Sequence, residues 1–353
     1  MFYYEQDYDL VHDNTFGIHA NALYFVRYTD ERQLADAIGW HRSEVPALPW
    51  LHVGSGSNLL FLDDFPGVVL RSEVKGVQVM HSTDDRVLIR VGGGMEWDEL
   101  VDLCVSHGWH GLENLSFIPG QVGAAAVQNI GAYGAEASQH IVAVECMDLS
   151  DASARRFEAG ECGYGYRTSV FKTCLRGRYA VTRVWLRLNR RFVADSSYGG
   201  VADMLVSQGI APASATAGQL REAIIRIRRQ KLPDPAVQGN AGSFFMNPVV
   251  DEACKDRLLA LYPSMPHYPA GTGGWKLSAG WLIEQSGWKG KRLGPAGVHD
   301  RQALVLVNLG GATGMDVARL CQAIRQDVAR LFGVTLVPEV NFIPDVLLTD
   351  LSF

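Results

Sequence analysis

Residues 111–134 read GLENLSFIPGQVGAAAVQNIGAYG. The run is too rich in Gly and Ala for a stable exposed helix and too polar for a plain core. A backbone of such low bulk suits close wrapping around a flat ligand. A Gly-rich packed loop is the alternative, but it has no evident need for this much glycine. Upstream, a strand at Trp50–Val53 runs straight into Gly54-Ser55-Gly56-Ser57-Asn58, ahead of Leu59-Leu60-Phe61. Two glycines among small polar residues let backbone N–H groups approach an anion such as a diphosphate. A short strand-to-strand turn accounts for the same five residues about as well. No G-x-G-x-x-G occurs at βαβ spacing, Gly92-Gly93-Gly94 does not supply one, and no P-loop pattern is present. A Rossmann or P-loop nucleotide site is therefore not indicated.

Outward from these runs the chain alternates helices and strands. Asp30 and Gln33 have capping spacing and open a short helix through Ile38. Strands are expected at Val68–Arg71, Val77–Met80, Val87–Val91 and Ile141–Leu149, and a helix at Trp97–His107 with Gly108 at its C′ position. Val184, Leu186 and Leu188 alternate with Arg183, Trp185 and Arg187, the pattern of a half-buried strand. Thr216 and Gln219 cap a helix with Leu220, Ala223, Ile224 and Ile227 on one face, and Leu232-Pro233-Asp234-Pro235 ends it beside a domain boundary. A strand at Ala303–Asn308 precedes a long helix with Val317, Leu320, Ile324, Val328 and Leu331 at helical spacing. Gly333 stops that helix before a last strand, Val334–Ile343. A β-rich middle between α/β ends predicts an α+β protein of two or three domains.

At 353 residues the chain is too long for one ordinary core. The net charge of −6 argues against a general nucleic-acid binder, while leaving room for local basic clusters that hold small anions. Cys104, Cys146, Cys162, Cys174, Cys254 and Cys321 form no CxxC pair or zinc-finger spacing, so buried free thiols in a reducing compartment are expected and no metal. The acidic, aromatic start MFYYEQDYDLVHDN lacks the layout of a secretion signal, and no apolar run approaches membrane-spanning length. A soluble cytoplasmic protein, bound to no membrane, is expected; a monomer is compatible with the sequence, which does not fix the oligomeric state.

Taken together, GSGSNLLF at 54–61, GLENLSFIPG at 111–120 and QNIGAYG at 128–134 resemble the flavin-binding half of the UDP-N-acetylenolpyruvoylglucosamine reductase (MurB) family. GYGYRTSVFK at 163–172, RRQKLPDP at 228–235, GNAGSFFMNP at 239–248 and LVPEVNFI at 336–343 extend the resemblance, in order, over nearly the whole chain. It implies two FAD-binding subdomains of the vanillyl-alcohol-oxidase-like type at 1–75 and 76–225. A substrate-binding α+β domain would follow at 226–353, with its last strand able to return to the FAD-binding part. It also implies non-covalent FAD, NADPH as hydride donor, and reduction of an enolpyruvyl sugar nucleotide to UDP-N-acetylmuramate for peptidoglycan.

Hydride addition at C3 of an enolpyruvyl group develops negative charge at C2, spread into the carboxylate. Such a site needs a cation, stabilisation of the enolic species and a proton donor. The resemblance casts Arg167 as the cation, Ser243 as the donor to C2 and Glu339 as the residue assisting both proton delivery and the enolic intermediate. Read alone, these are a surface arginine, a turn serine and an edge-strand glutamate. Flavin contacts are expected at Gly54, Ser55, Gly56, Ser57, Asn58, Ser116, Ile118, Pro119, Gly120, Gly123, Asn129, Gly131 and Arg228. Substrate contacts are expected at Tyr166, Tyr198, Lys231, Asn247 and Gln302, with Tyr198 on a mobile loop that closes over the nucleotide. The basic run Arg226, Arg228, Arg229 and Lys231 also suits a helix C-terminus. Two departures from the family stand out: Asn341, where many relatives carry Arg, and Met246, where many carry a basic residue. An FAD oxidase of the same wider fold would instead require a flavin-linking His or Cys, and neither His52 nor His110 has that setting. A non-catalytic sugar-nucleotide sensor would be expected to lack one of Arg167, Ser243 and Glu339.

Overall fold

Asp30 caps the first helix, its carboxylate accepting the Gln33 N–H at 2.8 Å. The computed structural model describes residues 2–270 and 273–344; the remainder of the expected 226–353 part, 271–272 and 345–353, lies outside them. That first helix runs over Glu31–Glu44, well past Ile38 and through Gly39. The helix cost of Gly39, about 1 kcal/mol, is offset by His41. Its ring stacks on Trp50 at 4.0 Å and bonds the Leu48 carbonyl at 2.9 Å. Tertiary packing thus extends the helix beyond its sequence pattern.

Contacts divide the chain into two units, Met1–Tyr8 with Ala22–Ser55 and Pro66–Gln230, and Asp9–Asn21 with Gly56–Phe65 and Lys231–Phe353. The first holds a four-stranded sheet in the order Tyr3–Asp9, Asn21–Tyr28, Phe65–Ser72, Trp50–Val53. Its five-stranded antiparallel sheet runs Ala154–Glu158, Ile141–Asp148, Tyr179–Asn189, Arg86–Gly92, Val77–Ser82. The register places Val144, Val184 and Val91 side by side on the buried face. Each such side chain contributes about 1.5–3 kcal/mol through burial. On the other face the Glu145 carboxylate takes Arg90 Nε at 3.0 Å and Trp185 Nε1 at 2.6 Å. The helix Val122–Gln128 lies on the strand Tyr179–Asn189. The helix Ala217–Lys231 buries Ala217, Leu220, Ala223, Ile224 and Ile227, as its spacing predicts.

The second unit packs around the helix Gly314–Phe332, which opens on a Thr313–Asp316 capping box and stops at Gly333 with φ 67°. Leu331, expected in the core, is exposed, and Phe332, four residues after Val328, takes the buried place. The strand expected from Ala303 begins at Leu306, because Val305 N–H closes a turn onto the Gln302 carbonyl at 3.0 Å. The final strand is confined to Asn341–Ile343, parallel to Leu59–Phe61. Pro338 lacks an N–H and interrupts the longer run, leaving only a bridge to Phe245. Cys174 is exposed and Cys254 half-buried, while the other four thiols are buried. No helix among the described residues is long and apolar enough to cross a membrane.

Candidate active site

The Gly-Ser loop is the crossing point between the units, with Gly54 and Ser55 in the first and Gly56, Ser57 and Asn58 in the second. Ser55 donates its hydroxyl to Glu96 Oε1 at 2.8 Å, so sequence reasoning missed Glu96 as the partner that orients this serine. Gly56 has φ 64°, and a Cβ there would sit 1.9 Å from the Asp13 carbonyl oxygen. No other residue fits that position without moving backbone.

The run at 111–134 is a set of held turns. Ser116 is fully buried and donates to the Glu113 carbonyl at 2.6 Å. Phe117 adopts φ 60° although exposed. Its N–H is taken by Asp98 at 2.5 Å and its carbonyl by Arg228 Nε at 2.9 Å, while Arg229 stands 5.2 Å over the ring. Ile118 is half-buried, Pro119 exposed, and the buried Gly120 carbonyl accepts Trp97 N–H at 2.8 Å. Gly123 N–H bonds the Gly93 carbonyl at 2.8 Å. Burial lowers the Arg228 guanidinium below the usual arginine range, against the pull of the Tyr133 hydroxyl bonded to it. Asn114, in the same motif but unassigned by sequence reasoning, gives one amide hydrogen to the Tyr133 carbonyl at 2.9 Å and the other to Asp195 at 3.0 Å. No signal in the sequence marked it, since its burial appears only in the folded chain. Tyr198 is exposed on that tethered loop.

Arg167 sits half-buried at the tip of a hairpin closed by Gly165 and Thr168. Its φ is 56°, and its guanidinium lies 5.2 Å from the Tyr166 ring centroid. One guanidinium nitrogen donates to the Gly131 carbonyl.

In the second unit the structure brings Ser243, Glu339 and Asn58 together. Ser243 is exposed beside Gly242, whose N–H bonds Asn240 Oδ1 at 2.9 Å. The next residue, Phe244, accepts the Glu339 N–H at 2.8 Å, and Asn58 Nδ2 donates to the Glu339 carbonyl at 3.2 Å. Asn341 ties its own amide to the Asn58 carbonyl at 3.1 Å, and Met246 gives its backbone N–H to Val337 at 2.9 Å. Asn247 and Gln302 converge on the helix Ala279–Gln285: Asn247 Oδ1 takes the Ala279 N–H at 3.0 Å, and Gln302 Oε1 lies 3.4 Å from a Cβ built on Gly280. Lys231 is exposed.

One polar group beside the Gly-Ser loop fits a bound polar ligand. The Thr15 hydroxyl is buried with no partner among the described residues, although Thr15 N–H bonds the Gly56 carbonyl in the Gly-Ser loop at 3.2 Å. A buried hydroxyl of this kind calls for a further polar partner, either a ligand or an ordered water. Both histidines near these runs take part in hydrogen bonds within the protein. His52 Nε2 meets the Tyr28 hydroxyl at 2.8 Å, and His110 Nδ1 meets Glu113 Oε1 at 2.8 Å.

Comparison with known proteins finds two family models along the chain. A family model described as an FAD binding domain matches residues 22–158. The model for the C-terminal domain of UDP-N-acetylenolpyruvoylglucosamine reductase matches residues 234–343. The chain is 49% identical over 339 residues to the UDP-N-acetylenolpyruvoylglucosamine reductase of Bacteroides fragilis, covering 96% of this chain and 100% of the relative. It is 48% identical over 334 residues to that of Burkholderia ambifaria, covering 94% and 95%. The crystal structure of the Thermus caldophilus reductase aligns with a TM-score of 0.66 at 25% identity, over 97% of this chain and 98% of that one. Near-half identity along the whole length of a relative leaves one assignment: the chain belongs to the UDP-N-acetylenolpyruvoylglucosamine reductase family.

Proposed function

We infer that this protein reduces the enolpyruvyl group of UDP-N-acetylenolpyruvoylglucosamine to the lactyl ether of UDP-N-acetylmuramate, with FAD as cofactor and NADPH as reductant. The observation that carries the reading is full-length membership of the reductase family. FAD, held by the runs at 54–58 and 116–131 together with Arg228, would supply the hydride chemistry that links NADPH to the enolpyruvyl double bond. The protein's own work is to hold the substrate and to manage charge and one proton. Arg167 pairs with the substrate carboxylate, into which the charge developing at C2 is delocalised. Ser243 gives the proton that completes C2, and Glu339 assists its delivery and stabilises the enolic intermediate. Supporting these roles are the exposure of Ser243 and the hydrogen bond that joins its neighbour Phe244 to Glu339. Tyr166, Tyr198, Lys231, Asn247 and Gln302 take the sugar nucleotide, and the protein works as a soluble cytoplasmic enzyme of peptidoglycan precursor synthesis.

The test is spectroscopic. The purified protein should be yellow, bleach anaerobically with NADPH and recover its absorbance on addition of the enolpyruvyl nucleotide. Acid precipitation should release the flavin into the supernatant. Bleaching by an alcohol or sugar, with flavin retained on the precipitate, would establish the oxidase reading instead.

A further inference from the structure

We propose that Asn129, backed by Ser169, is a positioning clamp for Arg167, fixing the hairpin whose tip carries the guanidinium. The proposal rests on the reading of Arg167 as the substrate-carboxylate ligand. Asn129 is fully buried and adopts φ 49° at the end of the helix Val122–Gln128. A helix-terminating role accounts for that backbone angle, since asparagine tolerates the left-handed region. It does not account for the amide. Nδ2 donates to the Gly165 carbonyl at 2.8 Å and to Glu136 Oε2 at 2.9 Å, and Oδ1 accepts the Ser138 N–H at 3.0 Å. Both amide hydrogens are spent inside the protein, so the side chain has none to offer a flavin. Its service is to join the Gly165 hairpin to the segment that begins at Gly131.

The two residues before it do the same. Ser169 Oγ donates to the Val127 carbonyl at 2.6 Å, and Lys172 Nζ to Gln128 Oε1 at 2.6 Å. Three consecutive residues therefore stitch the helix end to the chain flanking Arg167. Within the hairpin, Gly165 and Thr168 exchange backbone bonds at 3.1 and 3.2 Å, leaving Tyr166 and Arg167 as the turn. The guanidinium is seated directly on Gly131, where a Cβ would lie 2.7 Å from Arg167 Nη1. Asn129 and Arg167 both hold left-handed backbone angles, and such angles persist where surrounding bonds over-determine them. Carboxylate recognition by a guanidinium requires placement within a fraction of an ångström, which this clamp supplies.

Asn129→Gly keeps the left-handed angle and deletes only the amide, so it separates the clamp from the helix stop. We expect normal FAD content, bleaching by NADPH within about twofold of wild type, and anaerobic reoxidation by the enolpyruvyl nucleotide slowed roughly 10-fold or more, the scale of a misplaced reacting group. In an Arg167→Ala background the same change should add less than about twofold, because the two act as one unit. Multiplicative costs in the two backgrounds, or equal slowing of bleaching and reoxidation, would overturn the proposal. An Arg167→Ala enzyme that reoxidises at the wild-type rate would instead remove the underlying reading of Arg167, and the clamp with it. If Asn129→Gly does not fold, the same cycle with Ser169→Ala decides the matter by the same criteria.

Discussion

Ser243 and Glu339 are 96 positions apart in the chain, yet one backbone hydrogen bond, Glu339 N–H to the Phe244 carbonyl, makes them neighbours. Their proposed roles separate the two half-reactions. Hydride transfer from NADPH requires no proton at the substrate, whereas completing C2 does. Ser243→Ala should therefore retain FAD and near-normal bleaching, while reoxidation by the enolpyruvyl nucleotide slows by roughly 10²-fold or more. Glu339→Gln should shift the same step in the same direction. Anaerobic stopped-flow absorbance resolves both steps, and a Ser243→Ala enzyme impaired equally in each would reduce Ser243 to a turn residue beside Gly242.

At the scale of elements, the segment at 195–200 is tethered at one end and runs into two glycines at the other. Asn114 holds the Asp195 carbonyl, and Asp195 Oδ1 accepts the Ser197 N–H at 3.1 Å. Gly199 and Gly200 then take φ 69° and 79° before the helix Val201–Ser207. A Cβ on Gly199 would approach the Tyr133 ring to 2.9 Å, so this end of the segment lies flat on Tyr133. Tyr198, exposed between the tether and the glycines, suits a side chain that closes on a ligand. Tyr198→Phe should weaken nucleotide binding by about 1 kcal/mol, roughly fivefold in Kd, the worth of one hydrogen bond to an uncharged partner. Flavin content should not change. Titration calorimetry showing wild-type affinity in both Tyr198→Phe and Tyr198→Ala would refute the lid.

For the whole molecule, buried histidines contribute to the loss of stability between neutral pH and about pH 4. Burial pulls His52 down to about 4 from its ordinary 6.5, and lowers His140 and His299 as well. Below pH 6.5 the unfolded chain takes up protons at these sites that the native protein does not, so stability falls as pH drops from about 6.5 to about 4. His52 alone contributes up to about 3 kcal/mol across that window. The Tm should decline between pH 7.5 and pH 5, and His52→Gln should flatten the decline. Identical losses in the two proteins would exonerate His52.

Local patterns carried much of this protein. Capping at Asp30 and Thr216 and the left-handed stop at Gly333 depend on neighbours within a few residues, and so do the alternation of Val184, Leu186 and Leu188 and the spacing of Val317 through Val328. The runs proposed to hold the flavin stand out in the sequence because close backbone approach leaves its mark as glycine and alanine in unbroken stretches. Long-range pairing left no such mark. The extension of the first helix to Glu44 came from His41 stacking on Trp50, and the shortening of the last strand from Pro338 meeting Phe245. Glu96 under Ser55, Asn114 between Tyr133 and Asp195, and Asn129 on the Arg167 hairpin are ordinary polar residues in the sequence. Their significance lies in partners up to 81 positions away, which only the folded chain brings within hydrogen-bonding distance.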